Sequence, residues 1–145
     1  MTDTKPTNPK DAIGNRKLST FFIPPAGIIE QAKAHFDGAV KYSAFNWREA
    51  GVRASVYIAA IDRHRMAFLD GEDFAPDSKV HHLGHIAACC NIMLDSIAIG
   101  NFVDDRPPPG TFSCDVAAAN DWVAARLERH ERELAAKIEA NLKGR

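Results

Sequence analysis

Three consecutive prolines, Pro107–Pro109 in "GNFVDDRPPPGTF", limit what this chain can fold into more than any other stretch. Each proline fixes φ and removes a backbone donor, so a helix cannot run through the triplet, which reads as a stiff extended link. The segments on its two sides must therefore form separate elements. Downstream, from near Asp115 to about Leu142, charged residues surround a narrow apolar seam of Val116, Val123, Leu127, Leu134 and Ile138, the pattern of one long helix. Upstream, residues 1–19 are polar, contain Pro6 and Pro9, and read as an arm without regular structure. The expected organisation is an arm (1–19), a core (20–106), a proline-rich link (107–114) and a C-terminal helix (115–145). At 145 residues, one compact domain with a real core is the expectation.

Within the core, Pro24 and Pro25 precede "AGIIEQAKAHFDGAVKY". Proline is tolerated in a first helical turn, where its missing N–H has no partner to lose. Ile28, Ile29, Ala32, Phe36, Ala39 and Val40 recur at spacings of three and four, one face of a helix. Ser43–Gly51 reads as a connection. A second helix is expected from about Val52 to Asp70, broken by Gly71 and Pro76 in "DGEDFAPDS". A third is expected from about Lys79 to Ile99, with Asp77 or Ser78 as its cap. No strand-like alternation and no internal repeat is found. The expected fold is all-α: a compact helical core built around an antiparallel hairpin of the two central helices, plus the long C-terminal helix.

Hydrophobic residues make up 46% of the chain and charged ones 26%, ordinary for a globular protein. A net charge of −1 argues against stable binding to nucleic acid, which needs a basic face. No apolar run approaches the roughly 20 residues of a membrane span, and "MTDTKPTNPKD" lacks the apolar region of a secretory signal. The cysteines number three, with Cys89 and Cys90 adjacent, so a disulfide framework is not expected and a reducing cytoplasm is.

Of the six histidines, four lie in "RHRMAFLDGEDFAPDSKVHHLGHIAACC", around an acidic turn with Glu72, Asp73 and Asp77. In a hairpin that turns near residue 74 or 75, His64 lies level with His85, and Asp95 lies near Arg53. His82 and His85 are three apart and share a helix face, so His64, His82 and His85 are expected to converge, with Glu72 and Asp73 closing in from the tip. Asp95 stands ten residues beyond His85, about 15 Å along a helix, too far to share one ion with it directly. It is expected to pair with Arg53 or to serve a second position in the pocket. Imidazole with carboxylate suits transition metals, whereas carboxylates alone suit magnesium. His35 and His130 read as tolerated polar residues and the cysteines as small buried hydrophobes. The "ERHE" of the last helix reads as a solvated face. No HD dipeptide, GxGxxG or GxxxxGK[ST] motif is present.

Four blocks in order, "TNPKDAIG", "GAVKYSAFNWREAGVRASVYIAAIDRH", "GEDFAPDS" with "HHLGH", and "DDRPP", resemble the dATP/dGTP diphosphohydrolase N-terminal domain family, over about residues 7–109. The resemblance implies a largely bacteriophage family that hydrolyses dATP or dGTP to the monophosphate and pyrophosphate with a divalent metal. It also implies kinship with MazG-like all-α pyrophosphohydrolases. The usual MazG pairing of ExxE with ExxD is absent, so its metal ligands do not carry over.

Read for that chemistry, the candidate metal ligands are His64, Glu72, His82, His85 and Asp95. The expected ion is Mg or Mn, with Co, Ni or Zn open because of the histidines. Glu72 is the candidate for orienting the attacking water, with Asp73 as alternate. Lys10, Lys17, Lys41, Arg48, Arg53 and Arg63 are candidate phosphate contacts, and Asn46 with Trp47 a candidate purine site. The expected partners are a deoxypurine nucleoside triphosphate and further copies of the chain, since the C-terminal seam asks for a homo-oligomer. The competing reading is a non-catalytic phage or prophage protein that binds a partner through that helix.

Overall fold

The protein is described by a computed structural model over residues 9–14 and 16–143. The chain divides into two compact units, residues 1–106 and 107–145. The first comprises α1 (Pro9–Gly14), a 3-10 turn (Thr20–Phe22), α2 (Pro25–Tyr42), α3 (Asn46–Ala50), β1 (Val52–Arg53), α4 (Ala54–Leu69), α5 (His82–Ala98) and β2 (Phe102–Val103); the second contains α6 (Phe112–Lys143). Pro25 opens α2, as its missing N–H permits. Residues 1–8 of the expected arm lie outside the described residues. Its later part carries α1 where no regular structure is expected.

The core of the first unit is a layer of small side chains between helices. α5 packs against both α4 and α2. Ala34 of α2, Ala88 of α5 and Val80 form one buried cluster, while Val52 and Ala54 are fully buried at the start of α4. At Gly84, α5 runs close against the backbone of α2. A Cβ there would stand 2.6 Å from the Glu30 carbonyl oxygen and 2.8 Å from its carbon, so only glycine fits. Larger apolar side chains of α2, among them Ile29, Phe36 and Val40, are exposed.

Three expectations are corrected. First, α4 and α5 are not joined by a tight hairpin turn. Twelve residues, 70–81, intervene, and they carry structure of their own: Phe74 bridges His81, Ala75 N–H bonds the Val80 carbonyl, and His82 N–H bonds the Asp73 carbonyl. Lys79 sits at φ +58°, which delays the helix. The cap is therefore neither Asp77 nor Ser78 but His81, whose Nδ1 accepts from the Leu83 N–H at 3.1 Å.

Second, the fold is mostly but not wholly helical. β1 and β2 pair in parallel, Val52 with Phe102 and Arg53 with Val103. Two residues per strand give no alternation to read. Gly51, at φ +80°, makes the approach possible, because a Cβ there would meet Asn101 Oδ1 at 3.1 Å. The Asn101 side-chain amide donates to the carbonyls of Trp47 and Arg48, tying α3 to the same corner.

Third, Arg53 does not meet Asp95. It lies 3.4 Å from Asp105, whose carboxylate also accepts from the Ser55 N–H and hydroxyl at 2.8 and 2.6 Å.

Candidate active site

The packing of α2, α4 and α5 leaves a cleft of about 460 Å³, within the range of small-molecule sites. Each helix gives it one stripe: Ala34, Asp37, Gly38 and Lys41 from α2; Val56, Tyr57, Ala60, Arg63 and His64 from α4; His85, Ala88, Cys89 and Ile92 from α5. These spacings of three and four are what one helix face presents. Asn46 and Trp47 of α3 close one end, and Asp77 of the 70–81 segment reaches in at another part of the wall.

Lys41 holds the polar part together. Its Nζ is 2.8 Å from Asp37 Oδ2, one turn earlier on α2, and 3.1 Å from Asp77 Oδ2. Hydrogen bonds to Asp37 and then to Asp77 push the ammonium up to about 12, so it stays charged, and the Lys41 bond holds the Asp77 carboxyl below its usual range.

Beside this triad stand the histidines. His64 and His85 stack with ring centroids 4.4 Å apart and planes 5° from parallel. His64 Nδ1 is 2.8 Å from His82 Nδ1, a hydrogen bond that needs one ring as donor and the other as acceptor. His85 Nε2 shares a proton with Ser78 Oγ at 2.8 Å. Burial, reinforced by the neighbouring His85, His82 and Arg63, depresses His64 to about 4. Burial also lowers His85. Both rings are therefore uncharged at neutral pH. Burial likewise raises the Cys89 thiol, which makes it a poor nucleophile.

The aromatic end is fixed from below. Trp47 Nε1 donates to Asp95 Oδ2 at 2.7 Å, and Arg48 grips the same carboxylate through Nε and a terminal nitrogen at 2.9 Å each. His35 lies 5.8 Å from the indole, centroid to centroid.

Set against the sequence, the structure brings His64, His82 and His85 together, and puts Lys41, Asn46, Trp47, Arg63, His64 and His85 on one cleft. It does not gather the five expected ligands around one point. Asp95 is taken up by Arg48 and Trp47. The stacked rings of His64 and His85 direct their nitrogens along parallel planes rather than toward a common centre. Among the described residues no three His, Cys, Asp or Glu side chains form a ligand set.

Glu72 is largely exposed, 3.6 Å from His82 Nε2. Neither it nor Asp73 is among the described residues lining the cleft, and Lys10, Lys17, Arg48 and Arg53 are not there either. Sequence reasoning missed Asp37 and Tyr57 and passed over His35. Asp37 was recoverable, since it lies one helical turn before Lys41 on the face that carries Ala34. Tyr57 and His35 carried no such signal.

No curated protein and no solved structure matches this chain. A family model does: the one described as dATP/dGTP diphosphohydrolase, N-terminal, matches residues 7–106, the stretch that forms the cleft and every element around it. The chain belongs to that family.

Proposed function

We propose that the chain hydrolyses a deoxypurine nucleoside triphosphate, dGTP or dATP, to the monophosphate and pyrophosphate in this cleft. The observation that carries the reading is the joining, in one cavity of nucleotide size, of a fixed indole at one end with Lys41, Arg63 and two neutral imidazoles along the wall. The base stacks at Trp47, and the phosphates run toward Lys41 and Arg63. The oxygen of a water molecule attacks the α-phosphorus, the bond to the β-bridging oxygen breaks, and pyrophosphate leaves. With its Nε2–H donated to Ser78, His85 keeps a lone pair on Nδ1 to take the proton from that water. His64, depressed to about 4, is too weak a base for that task near neutrality, and serves to hold the His85 ring by stacking.

The charge balance bears on the expected divalent ion. The wall offers two fixed cations, Lys41 and Arg63, against two carboxylates, Asp37 and Asp77, and so brings no net charge to a polyanion. Magnesium is commonly held by one or two carboxylates together with substrate phosphates, and that donor set fits here where a three-ligand protein site does not. Asp37 and Asp77 would share such an ion with the nucleotide, and it would supply neutralising charge on the phosphates.

The test is product analysis of the purified protein with each of the four deoxynucleoside triphosphates, with magnesium or manganese and with chelator. Equimolar monophosphate and pyrophosphate from dGTP or dATP, lost with chelator and with His85→Gln, is the expected result. Release of inorganic phosphate instead, or no turnover with any metal, overturns it.

A further inference from the structure

α6 runs for 32 residues, and none of its side chains is buried. A helix of that length draws most of its stability from packing an apolar face, yet Val123, Leu127, Leu134 and Ile138 are about half exposed. The seam keeps a heptad period. Asn120, Leu127, Leu134 and Asn141 occupy the a positions; Val116, Val123, His130 and Lys137 occupy d. Val116, Val123, Leu127 and Leu134 are the apolar members of these eight positions, so the flanking charges have a large part in choosing the second strand.

With this frame Arg126 and Glu133 fall at g, and Glu131 and Ile138 at e. The helix's own ion pairs, Arg132 with Glu128 and Lys143 with Glu139, lie on the outer b, c and f positions. Among the described residues no ion pair takes up Arg126 or Glu133. A second copy running antiparallel answers Arg126, Glu133 and Ile138, while Glu131 faces Ala124 and Asn120 faces Lys137. There a faces d, g faces g and e faces e. Val123 meets Leu134 of the other copy, Leu127 meets His130, and Ile138 covers Ala117. Arg126 meets Glu133 twice by symmetry.

A parallel copy does worse. It keeps one attraction, Arg126 with Glu131, but stacks Lys137 on Lys137 and His130 on His130 and sets Glu133 against Ile138. Like charges in register are the usual device against a pairing.

We propose that α6 is the dimerisation element of this protein, an antiparallel two-stranded coiled coil with a second copy of the same chain. The helix lies outside the residues matched by the family, so the assembly stands independently of the reaction proposed above.

The experiment is sedimentation of the full chain over a concentration series, with Arg126→Glu, with Glu133→Arg, and with both together. Each single reversal sets like charges opposite each other at two symmetric places. It should weaken association by about tenfold or more and halve the mass at a concentration where the wild type is paired. The double variant restores opposite charges between positions 126 and 133 and should recover the wild-type mass. A parallel coil gives another outcome: in the double variant the new carboxylate at position 126 would face Glu131, the protein would stay dissociated, and the proposal fails. It fails equally if the wild type is a monomer or if the single reversals leave the mass unchanged.

Discussion

Replacing His64 by glutamine should flatten the acid limb of this protein's stability. The fold holds His64 at about 4 against an ordinary value of 6.5, chiefly by burial. A depressed histidine is one whose protonated form the fold rejects. Its contribution is therefore intact above pH 6.5 and is lost progressively as pH falls toward the folded value. Linkage between those two values gives about 2 kcal/mol lost on going from about pH 7.5 to about pH 5. The ring is only partly shielded from water, so about 1–2 kcal/mol is the figure to expect.

For a unit of this size each kcal/mol corresponds to roughly 4–8 °C in Tm. Wild-type protein should then lose roughly 4–16 °C more than His64→Gln over the same interval. Glutamine keeps a polar partner for His82 Nδ1 but has nothing to titrate. The comparison is of slopes, so any uniform loss from the missing ring cancels. The interval stops above the range where Asp77 and Asp95, both held low by their cations, begin to protonate. Thermal melts followed by circular dichroism at matched ionic strength measure it. Parallel pH dependences for the two proteins would refute the reasoning, and with it the assignment of His64 as a neutral, packed ring.

Two further outcomes are expected. Lys41→Met strips the cation from between Asp37 and Asp77, and should raise KM for the preferred triphosphate by about tenfold or more; an unchanged KM in initial-rate assays would remove Lys41 from the phosphate path. Gly84→Ala drives a methyl group into the Glu30 backbone and should cost about 1–3 kcal/mol of stability, read from the urea midpoint; a neutral result would mean that α2 and α5 separate without penalty.

The long helices α2, α4, α5 and α6 were legible from their apolar periods, whereas the short α1 and α3 fall where an irregular arm and a connection are expected. α2 is expected to begin at the proline pair and does. α4 and α5 begin two or three residues later than expected, for reasons that lie in tertiary contacts. Val52 and Arg53 are claimed by a strand whose partner is fifty positions away, and Lys79 adopts a left-handed conformation that only the folded loop sustains. The histidine cluster was legible because spacings of three and four transmit directly into a helix face.

The acidic partners were not. Glu72 stands out in the sequence by its place in a turn, yet the turn carries it to solvent. Asp37 faces the cleft because it shares an α2 face with the buried Ala34. Arg48 and Arg53 read as phosphate contacts on their chemistry alone. Asp95 and Asp105 take them up, and a sequence does not announce which carboxylate an arginine will meet.

The corner where β1 meets β2 has a mechanical meaning. Any tension applied through the chain beyond Arg106 enters the helical unit at Val103–Asp105. It is met there by two strand pairings and by the bonds of Asp105 to Ser55 and Arg53. The helices α4 and α5 lie between the two strands of that latch, in a stretch of chain closed on itself. A pull on the C-terminal segment would load this latch before it reached His64 and His85, which lie within the closed stretch.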